Sequence, residues 1–233
     1  MENKKNYKFL NNQKLSVFQK LINDIYGLPD NRLFSLSNLL SNQQRFTMRA
    51  LKGIRKNDRE KLKYNLLIAF SWLMAVGNRL HIDVEEVLWR RFPMICSYCG
   101  NRPCICKKTK PDKRKVIKRK DASRPKTLSG FQNMFRMIYP PESRTLEHAG
   151  VHLAEEMGEV SEAIYVFSGE HKNNQFENIQ SEISDYISCI FGVANSANID
   201  MADELAKLYK RNCHVCHSSP CECKFSYISK FKS

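Results

Sequence analysis

A cysteine pattern that occurs twice constrains this chain more than any other feature of its sequence. The stretches "CSYCGNRPCIC" and "CHVCHSSPCEC" both read C-x2-C-x4-C-x-C, and the second begins 117 residues after the first. Thiols spaced so closely, in a chain without an export signal, are typical of a closed tetrahedral zinc site and not of disulfides. We therefore expect a structural Zn²⁺ in each stretch, held by eight of the nine cysteines: Cys96, Cys99, Cys104, Cys106, Cys213, Cys216, Cys221 and Cys223.

Two other interpretations of these stretches stay open. Iron–sulfur clusters also use four thiolates, although nothing else in the sequence suggests redox chemistry. His214 and His217 lie inside the second stretch and could replace a thiolate, but four cysteines already complete that site.

Nearly the same offset relates further segments, so the chain is predicted to be a tandem duplication. The segment "NRLHID" at 78–83 recurs as "NSANID" at 195–200. Farther upstream, "FQKLINDIYGLPDNR" at 18–32 resembles "FQNMFRMIYPPESR" at 131–144. We place the first copy at residues 1–106 and the second at 127–233, each ending in its four-cysteine knuckle.

The positive charge is unevenly distributed. The net charge of +14 divides into +10 for residues 1–106, +9 for the linker at 107–126 and −5 for residues 127–233. A linker so charged, with two prolines, is expected to be an exposed tether. Clustered Lys and Arg also suit nucleic acid as a partner, but the linker lacks interleaved aromatic residues for base stacking.

Each copy is predicted to be helical, so the fold class is all-α. Three long segments, 64–80, 150–167 and 179–197, carry apolar residues at helical spacing. The longest apolar run, Leu66 to Gly77, is too short to span a bilayer, and the polar N-terminus has no apolar signal core. We therefore expect a cytoplasmic globular protein with no membrane association.

Carboxylates concentrate in two predicted helices of the second copy. Glu156 and Glu159 lie one turn apart, and so do Glu182 and Asp185 in the otherwise apolar "IQSEISDYISCIFGVA". Burying like charges in such a helix is costly unless a cation compensates them. Four facing oxygen ligands suit Mg²⁺ or Mn²⁺, whereas a di-iron site normally uses Glu-x-x-His pairs.

The first copy keeps the helical pattern but lacks these acids. At an offset of 117 residues, Leu39 and Ile68 replace Glu156 and Asp185. The other three acids, Glu155, Glu159 and Glu182, are replaced by Asn38, Asn42 and Asn65. A face needed only for solubility could have stayed charged in both copies. The acids are therefore predicted to form a site that only the second copy has.

The acidic motif resembles that of the MazG-type all-α nucleoside triphosphate pyrophosphohydrolases, whose pattern is E-E-x-x-E, a spacer and E-x-x-D. Here "EEMGE" at 155–159 and "EISD" at 182–185 are separated by 22 residues. The resemblance covers residues 131–212, and residues 18–95 look like a degenerate copy.

The resemblance implies Mg²⁺-dependent hydrolysis of a nucleoside triphosphate to the monophosphate and pyrophosphate. By that resemblance, Glu156, Glu159, Glu182 and Asp185 would hold metal ions against the triphosphate. Glu155 would position the attacking water or accept its proton. Family members work as dimers or larger assemblies, so the two copies are expected to form a dimer within one chain, with a homo-oligomer as a further option.

Three more residues of the second copy are candidates for contact with the substrate. Asn195 lies where family members carry Asn or Lys, although Asn78 occupies the same place in the copy without acids, which suits a packing role. His152 lies one turn from His148 and is predicted to reach the base. Arg144 is a candidate for phosphate, with ordinary surface placement as the alternative.

The alternative function belongs to a different class: a regulatory protein that binds nucleotides or nucleic acid without turnover. The loss of acids in one copy, the cysteine knuckles and the basic linker favour it, whereas the intact acids of the second copy favour the enzyme. Salt-sensitive binding of DNA or RNA that survives Glu159→Gln would support the regulatory protein.

Overall fold

The computed structural model describes residues 9–115 and 121–224, and these residues contain helices and no β-strand. The all-α prediction is therefore confirmed for this part of the chain. Its α-helices are α1 (Leu15–Leu33), α2 (Leu36–Arg55), α3 (Arg59–Arg79), α4 (Val84–Arg91), α5 (Cys106–Thr109), α6 (Leu128–Ile138), α7 (Leu146–Glu170), α8 (Asn173–Ser196) and α9 (Met201–Leu208). Two short 3-10 helices lie at Asp121–Ser123 and Pro141–Ser143. Within the described ranges, no helix combines the length and the apolar character that crossing a bilayer requires.

The helices form two compact units whose boundaries differ from those of the predicted copies. Unit 1 comprises the residues up to Asp83 and those from Met201 onward, and unit 2 comprises Val84–Asp200. Unit 2 therefore contains the acidic helices α7 and α8 together with α4 and the first knuckle. Unit 1 contains α1 to α3 together with α9 and the second knuckle. Each compact unit thus combines the long helices of one sequence copy with the last helix and knuckle of the other.

Unit 1 is built on the pair α2 and α3, which are joined by a three-residue connection. The Ser35 hydroxyl accepts a hydrogen bond from the Asn38 amide, and the Asp58 carboxylate accepts one from the Lys61 amide, so both helices begin at a side-chain cap. Near the connection the helices approach so closely that a Cβ at Gly53 would lie 2.6 Å from the main-chain nitrogen of Leu62. This glycine is required by the packing of the pair.

Unit 2 is built on the corresponding pair α7 and α8, against which α4 and α6 pack. The Thr145 hydroxyl caps α7 by accepting a hydrogen bond from the His148 amide. Phe135 of α6 stacks on Phe191 of α8 with 5.7 Å between ring centroids, and it meets Phe92 edge-on at 5.0 Å. The apolar faces of these helices therefore share one core, from which the polar faces of α7 and α8 project.

The same hydrogen-bond arrangement joins the first helix of each copy to its partner helix. In unit 1, Gln19 Nε2 donates to Asn78 Oδ1 at 3.1 Å and to the Ile82 carbonyl at 2.8 Å. In unit 2, the Gln132 side chain donates to Asn195 Oδ1 at 3.0 Å and to the carbonyl of Ile199 at 2.7 Å. Two amide pairs with equivalent geometry agree with the duplication seen in the sequence.

The linker at 107–126 contacts unit 2 through arginines at its described ends. Arg114 forms an ion pair with Asp185 at 3.2 Å, and Arg124 forms ion pairs with Glu86 at 2.6 Å and Glu85 at 3.3 Å. The prediction of an exposed tether does not hold for these two residues, because each arginine meets a carboxylate of a folded helix. Residues 116–120 of the linker lie outside the described part of the chain.

Candidate metal centres and the cleft of unit 2

The helices α7 and α8 bring three of the predicted metal ligands together. Glu156, Glu182 and Asp185 each place a carboxylate oxygen within 4.8 Å of the other two; we call them the acid triad. The Oε2 atoms of Glu156 and Glu182 are buried and, within the described residues, have no hydrogen-bond partner. Because an unpaired buried carboxylate oxygen is costly, and because hard divalent cations prefer such ligands, the donor set fits Mg²⁺ or Mn²⁺.

Burial and the closeness of the carboxylates also raise pKa values within the acid triad. Burial, followed by the charges of Asp185, Glu159 and Glu182, raises the pKa of Glu156 to about 8. Burial, followed by the charges of Asp185 and Glu159, raises the pKa of Glu182 to about 7. A cation bound between these groups would oppose both effects, since it stabilises the ionised carboxylates.

Two arginines already pair with the third member of the triad. Arg91 of α4 donates from Nε to Asp185 Oδ1 at 3.0 Å and from a terminal nitrogen to Oδ2 at 2.5 Å. Arg114 of the linker donates to the same Oδ2 at 3.2 Å. Neither contact could be predicted from the sequence, because neither arginine belongs to a motif and both precede the second copy in the chain.

The remaining predicted acids lie outside the triad. Glu159 is exposed, but it is near enough to Glu182 for a hydrogen bond between the two carboxyl groups to contribute to the raised pKa of Glu182. Glu155 is also exposed, and its Oε2 atom lies 3.0 Å from Nδ1 of His152. The structure therefore places Glu159 at the edge of the triad and does not bring Glu155 to it.

Asn195 does not reach the cleft that the triad borders, contrary to the predicted substrate contact. Its side chain is only 1% exposed, and its amide nitrogen donates to the main-chain oxygen of Gln132 at 3.2 Å. Together with the bond that it accepts from the Gln132 side chain, this fixes α6 against α8. Asn195 is a packing residue, as the matching Asn78 had suggested.

The acid triad borders a cleft of about 780 Å³ in unit 2, and two of its members, Glu156 and Asp185, line it. The predicted substrate residues His152 and Arg144 also line this cleft, as does His148, whose ring meets that of His152 edge-on at 4.6 Å. Burial lowers the pKa of His152. A volume of this size lies within the range of small-molecule sites.

Arg144 owes its position in the cleft to a glycine that sequence reasoning missed. A Cβ at Gly192 would overlap the Arg144 guanidinium, so the side chain keeps this position only because residue 192 is glycine. Arg144 Nε is buried and has no hydrogen-bond partner among the described residues. The guanidinium carbon lies 6.0 Å from the centre of the Tyr139 ring. Among the described residues, Arg144 thus offers an unused donor in the cleft that the triad borders.

The corresponding place in unit 1 is an apolar cavity of only about 70 Å³. Ile68, which replaces Asp185, lines that cavity, and so does Trp72, which replaces Cys189. Leu39, which replaces Glu156, is completely buried. The loss of the acids in the first copy, predicted from the sequence, is therefore accompanied by the loss of the cleft.

Each four-cysteine knuckle brings its sulfurs to distances that suit zinc. In the first knuckle, Cys96 and Cys106 lie 3.7 Å apart and Cys99 and Cys104 lie 3.9 Å apart. In the second knuckle, the sulfur separations are 3.5 to 3.8 Å. Four sulfurs at about 2.3 Å from a tetrahedral zinc would lie about 3.8 Å apart. Both clusters could therefore hold Zn²⁺.

Comparison with known protein families, with curated proteins and with solved structures finds no match to this chain.

Proposed function

We propose that this protein is an Mg²⁺-dependent nucleoside triphosphate pyrophosphohydrolase of the MazG type. The observation that carries the proposal is the acid triad. Two of its buried carboxylate oxygens have no hydrogen-bond partner among the described residues, and it borders a cleft lined also by Arg144, whose Nε has none within the same residues. The resemblance of the acidic motif to the MazG pattern supplies the reaction.

Different residues in and around the cleft would have different roles in the proposed reaction. Glu156, Glu182 and Asp185 would hold Mg²⁺ or Mn²⁺, with Glu159 at the edge of the group. The bound metal would supply charge neutralisation at the phosphates and a water of lowered pKa. Arg144 would bind the phosphate chain, and His152 would contact the base. Hydrolysis of the α–β anhydride would give a nucleoside monophosphate and pyrophosphate.

Zinc in both knuckles and a dimer-like use of the two copies complete the proposal. Each knuckle would hold one Zn²⁺ through four thiolates, which predicts two zinc ions per chain by elemental analysis. Unit 1, which lacks the acids, would take the place of the second subunit in the dimers of the family. A chain that contains no zinc when purified under reducing conditions would contradict the first of these statements.

Pyrophosphate release tests the proposed activity directly. Wild-type protein with Mg²⁺ is expected to release pyrophosphate from at least one of a panel of ribo- and deoxynucleoside triphosphates. Glu156→Gln and Asp185→Asn are expected to abolish the release, because each removes a charged metal ligand. Glu177→Gln is the matched control, since Glu177 is an exposed carboxylate of α8 with no predicted role in the site, and its loss should leave most of the activity. Release that survives both triad substitutions would refute the site.

A nucleotide sensor without turnover is the second candidate, and the arginines on Asp185 favour it. Arg91 and Arg114 compensate the charge of this carboxylate without any metal. Under this alternative, the wild-type protein binds nucleotides in a calorimeter but releases no pyrophosphate with Mg²⁺ or Mn²⁺. Detectable turnover by wild-type protein would exclude it.

A further inference from the structure

The first knuckle is attached to the acid-bearing unit, although the second knuckle is the one that follows the acids in the sequence. The Cys104 amide donates to the carbonyl of Ile138, the last residue of α6, at 2.8 Å. The hydroxyl of the next residue, Tyr139, donates to Cys96 Sγ at 3.5 Å. In unit 1 the Cys221 amide of the second knuckle makes the equivalent bond to Ile25, at 2.7 Å. Each knuckle is thus fixed to the first helix of the other sequence copy.

The chain that leaves the first knuckle runs along the cleft of unit 2. Lys107 donates from Nζ to the carbonyl of Ser143, another residue that lines the cleft, at 3.3 Å. Farther on, the Arg114 guanidinium donates to the Ser97 hydroxyl of the knuckle at 3.1 Å and lies 5.1 Å from the centre of the Tyr98 ring. The segment 107–115 is thus attached to the knuckle twice: it follows Cys106 directly in the chain, and near its other end Arg114 binds Ser97.

Four cations of this segment line the cleft: Lys107, Lys108, Lys110 and Arg114. Arg144 lines the same cleft, and so do Glu156 and Asp185 of the acid triad. A cleft lined by both cations and candidate metal-binding carboxylates suits a polyphosphate chain with its divalent ion, since each group compensates a different part of the bound charge.

We propose that residues 107–115 are a phosphate-binding arm for the polyphosphate chain of a nucleoside triphosphate, and that the first knuckle holds this arm in place. The inference rests on the proposed function, because it takes the nucleotide as the ligand of the cleft. It assigns to the first knuckle a role in ligand binding that the second knuckle does not have. The part of the linker that the sequence presents as a tether is, in its first nine residues, a wall of the site.

The paired knuckles provide the first test, with the full-length chain and α,β-methylene analogues of the four common ribonucleoside triphosphates as probes. Zinc content and analogue binding by calorimetry are measured for wild type, for Cys96→Ser/Cys99→Ser and for Cys213→Ser/Cys216→Ser. Each double variant should contain one zinc ion in place of two. The first is expected to bind the analogue at least about tenfold more weakly, and the second to bind it like wild type. Equal binding by the two variants would overturn the inference.

A second pair of variants tests the arm with both knuckles intact, in case the cysteine variants lose more than the arm. Lys108→Ala/Arg114→Ala removes two cations that line the cleft. Lys113→Ala/Lys115→Ala removes two neighbouring cations that do not line it, so the net charge changes equally. The first pair is expected to weaken analogue binding about tenfold and the control pair to leave it unchanged. The same loss in both pairs would show a general charge effect and contradict the arm.

These outcomes separate the arm from the activity. Analogue binding that depends on the first knuckle, without pyrophosphate release from any triphosphate, would retain the arm and refute the enzyme. If the protein releases pyrophosphate but analogue binding does not change in the first-knuckle variant or in Lys108→Ala/Arg114→Ala, the proposed activity stands and the arm is refuted. Binding of single-stranded DNA that both alanine pairs weaken, with no analogue binding by wild type, would refute the arm in favour of a nucleic-acid surface.

Discussion

At the scale of single residues, the close approach of Gly192 and Arg144 decides whether the Arg144 guanidinium keeps its place in the cleft of unit 2. A methyl group at position 192 would occupy the space of the guanidinium, which is the flexible end of a long side chain. Gly192→Ala should therefore move Arg144 out of the cleft without unfolding unit 2. We expect the apparent KM for the triphosphate to rise about tenfold, measured as pyrophosphate release at varied substrate concentration.

Gly158→Ala is the control for this substitution, because Gly158 is exposed on α7 and, among the described residues, nothing apart from its chain neighbours and the adjacent helix backbone lies within 4 Å of a Cβ built there. It should leave KM unchanged and stabilise the protein by about 0.5 to 1 kcal/mol, since alanine is the better helix former. A rise in KM of the same size in both variants would show that Arg144 does not bind the substrate.

Asp30 should make the stability of unit 1 depend on pH. Its carboxylate is only 6% exposed, and burial raises its pKa to about 7, although the charge of Arg79 lowers it. Arg79 donates its hydrogen bonds to the main-chain oxygens of Asp30 and Phe34 and to the Asn31 side chain. Among the described residues, therefore, the Asp30 carboxylate has no hydrogen-bond donor of its own.

The direction of the effect follows from proton linkage. The usual pKa of 3.8 applies to the unfolded chain, so between that value and about 7 the folded state binds the proton more tightly. The stability that Asp30 contributes is fully present below pH 3.8, and it is lost as the pH rises to about 7. Asp30→Asn should remove this loss, which is at most about 4 kcal/mol for three pH units. Urea unfolding at pH 4.5 and pH 8 should show the variant gaining on wild type only at pH 8, and a constant difference would contradict the assignment.

At the scale of helices, the amide pair between α6 and α8 distinguishes a packing role from a substrate role. Asn195→Ala removes the hydrogen bonds between Asn195 and Gln132 inside the core. We expect a loss of about 1 to 3 kcal/mol in the free energy of unfolding and no change in KM for the triphosphate. Asn78→Ala in unit 1, where Gln19 makes the same pair, should also destabilise the chain without affecting KM. A higher KM with unchanged stability for Asn195→Ala would restore the substrate contact.

The sequence predicted the helices and the ligand sets because both depend on local spacing. The i,i+3 spacing of Glu182 and Asp185 places both on one face of α8, whichever helices surround it. Cysteines close together in the chain can form one cluster without help from the rest of the fold. Arg91 and Arg114 could not be predicted as partners of Asp185, because their contacts depend on which knuckle packs beside α8. The linker is basic throughout, so its sequence does not show which of its cations line the cleft. That too depends on which knuckle packs beside α8.

At the scale of the whole molecule, the sequence could not determine which knuckle belongs to which set of long helices. The two copies present the same groups at this contact: Ile138 and Tyr139 in one, Ile25 and Tyr26 in the other. A knuckle that packs on its own copy and one that packs on the other copy would therefore make equivalent hydrogen bonds. Local chemistry favours neither arrangement, so the pairing depends on contacts outside the repeated motif, such as that of Arg91 with Asp185.

Because each knuckle packs with the long helices of the other copy, two fragments of similar length should behave in opposite ways. Residues 84–200 form a continuous chain that contains α4, the first knuckle and both acidic helices, so this fragment should bind one zinc ion and unfold cooperatively in urea. Residues 127–233 contain every predicted acid and the second knuckle, but they lack α4, which packs against α8, and the Arg91 partner of Asp185. That fragment should expose apolar surface, bind a hydrophobic dye and unfold without a sharp transition. Cooperative unfolding of 127–233 together with a disordered 84–200 would mean that the copies fold as the sequence repeats define them, and the first knuckle would then lose its place beside the acid triad.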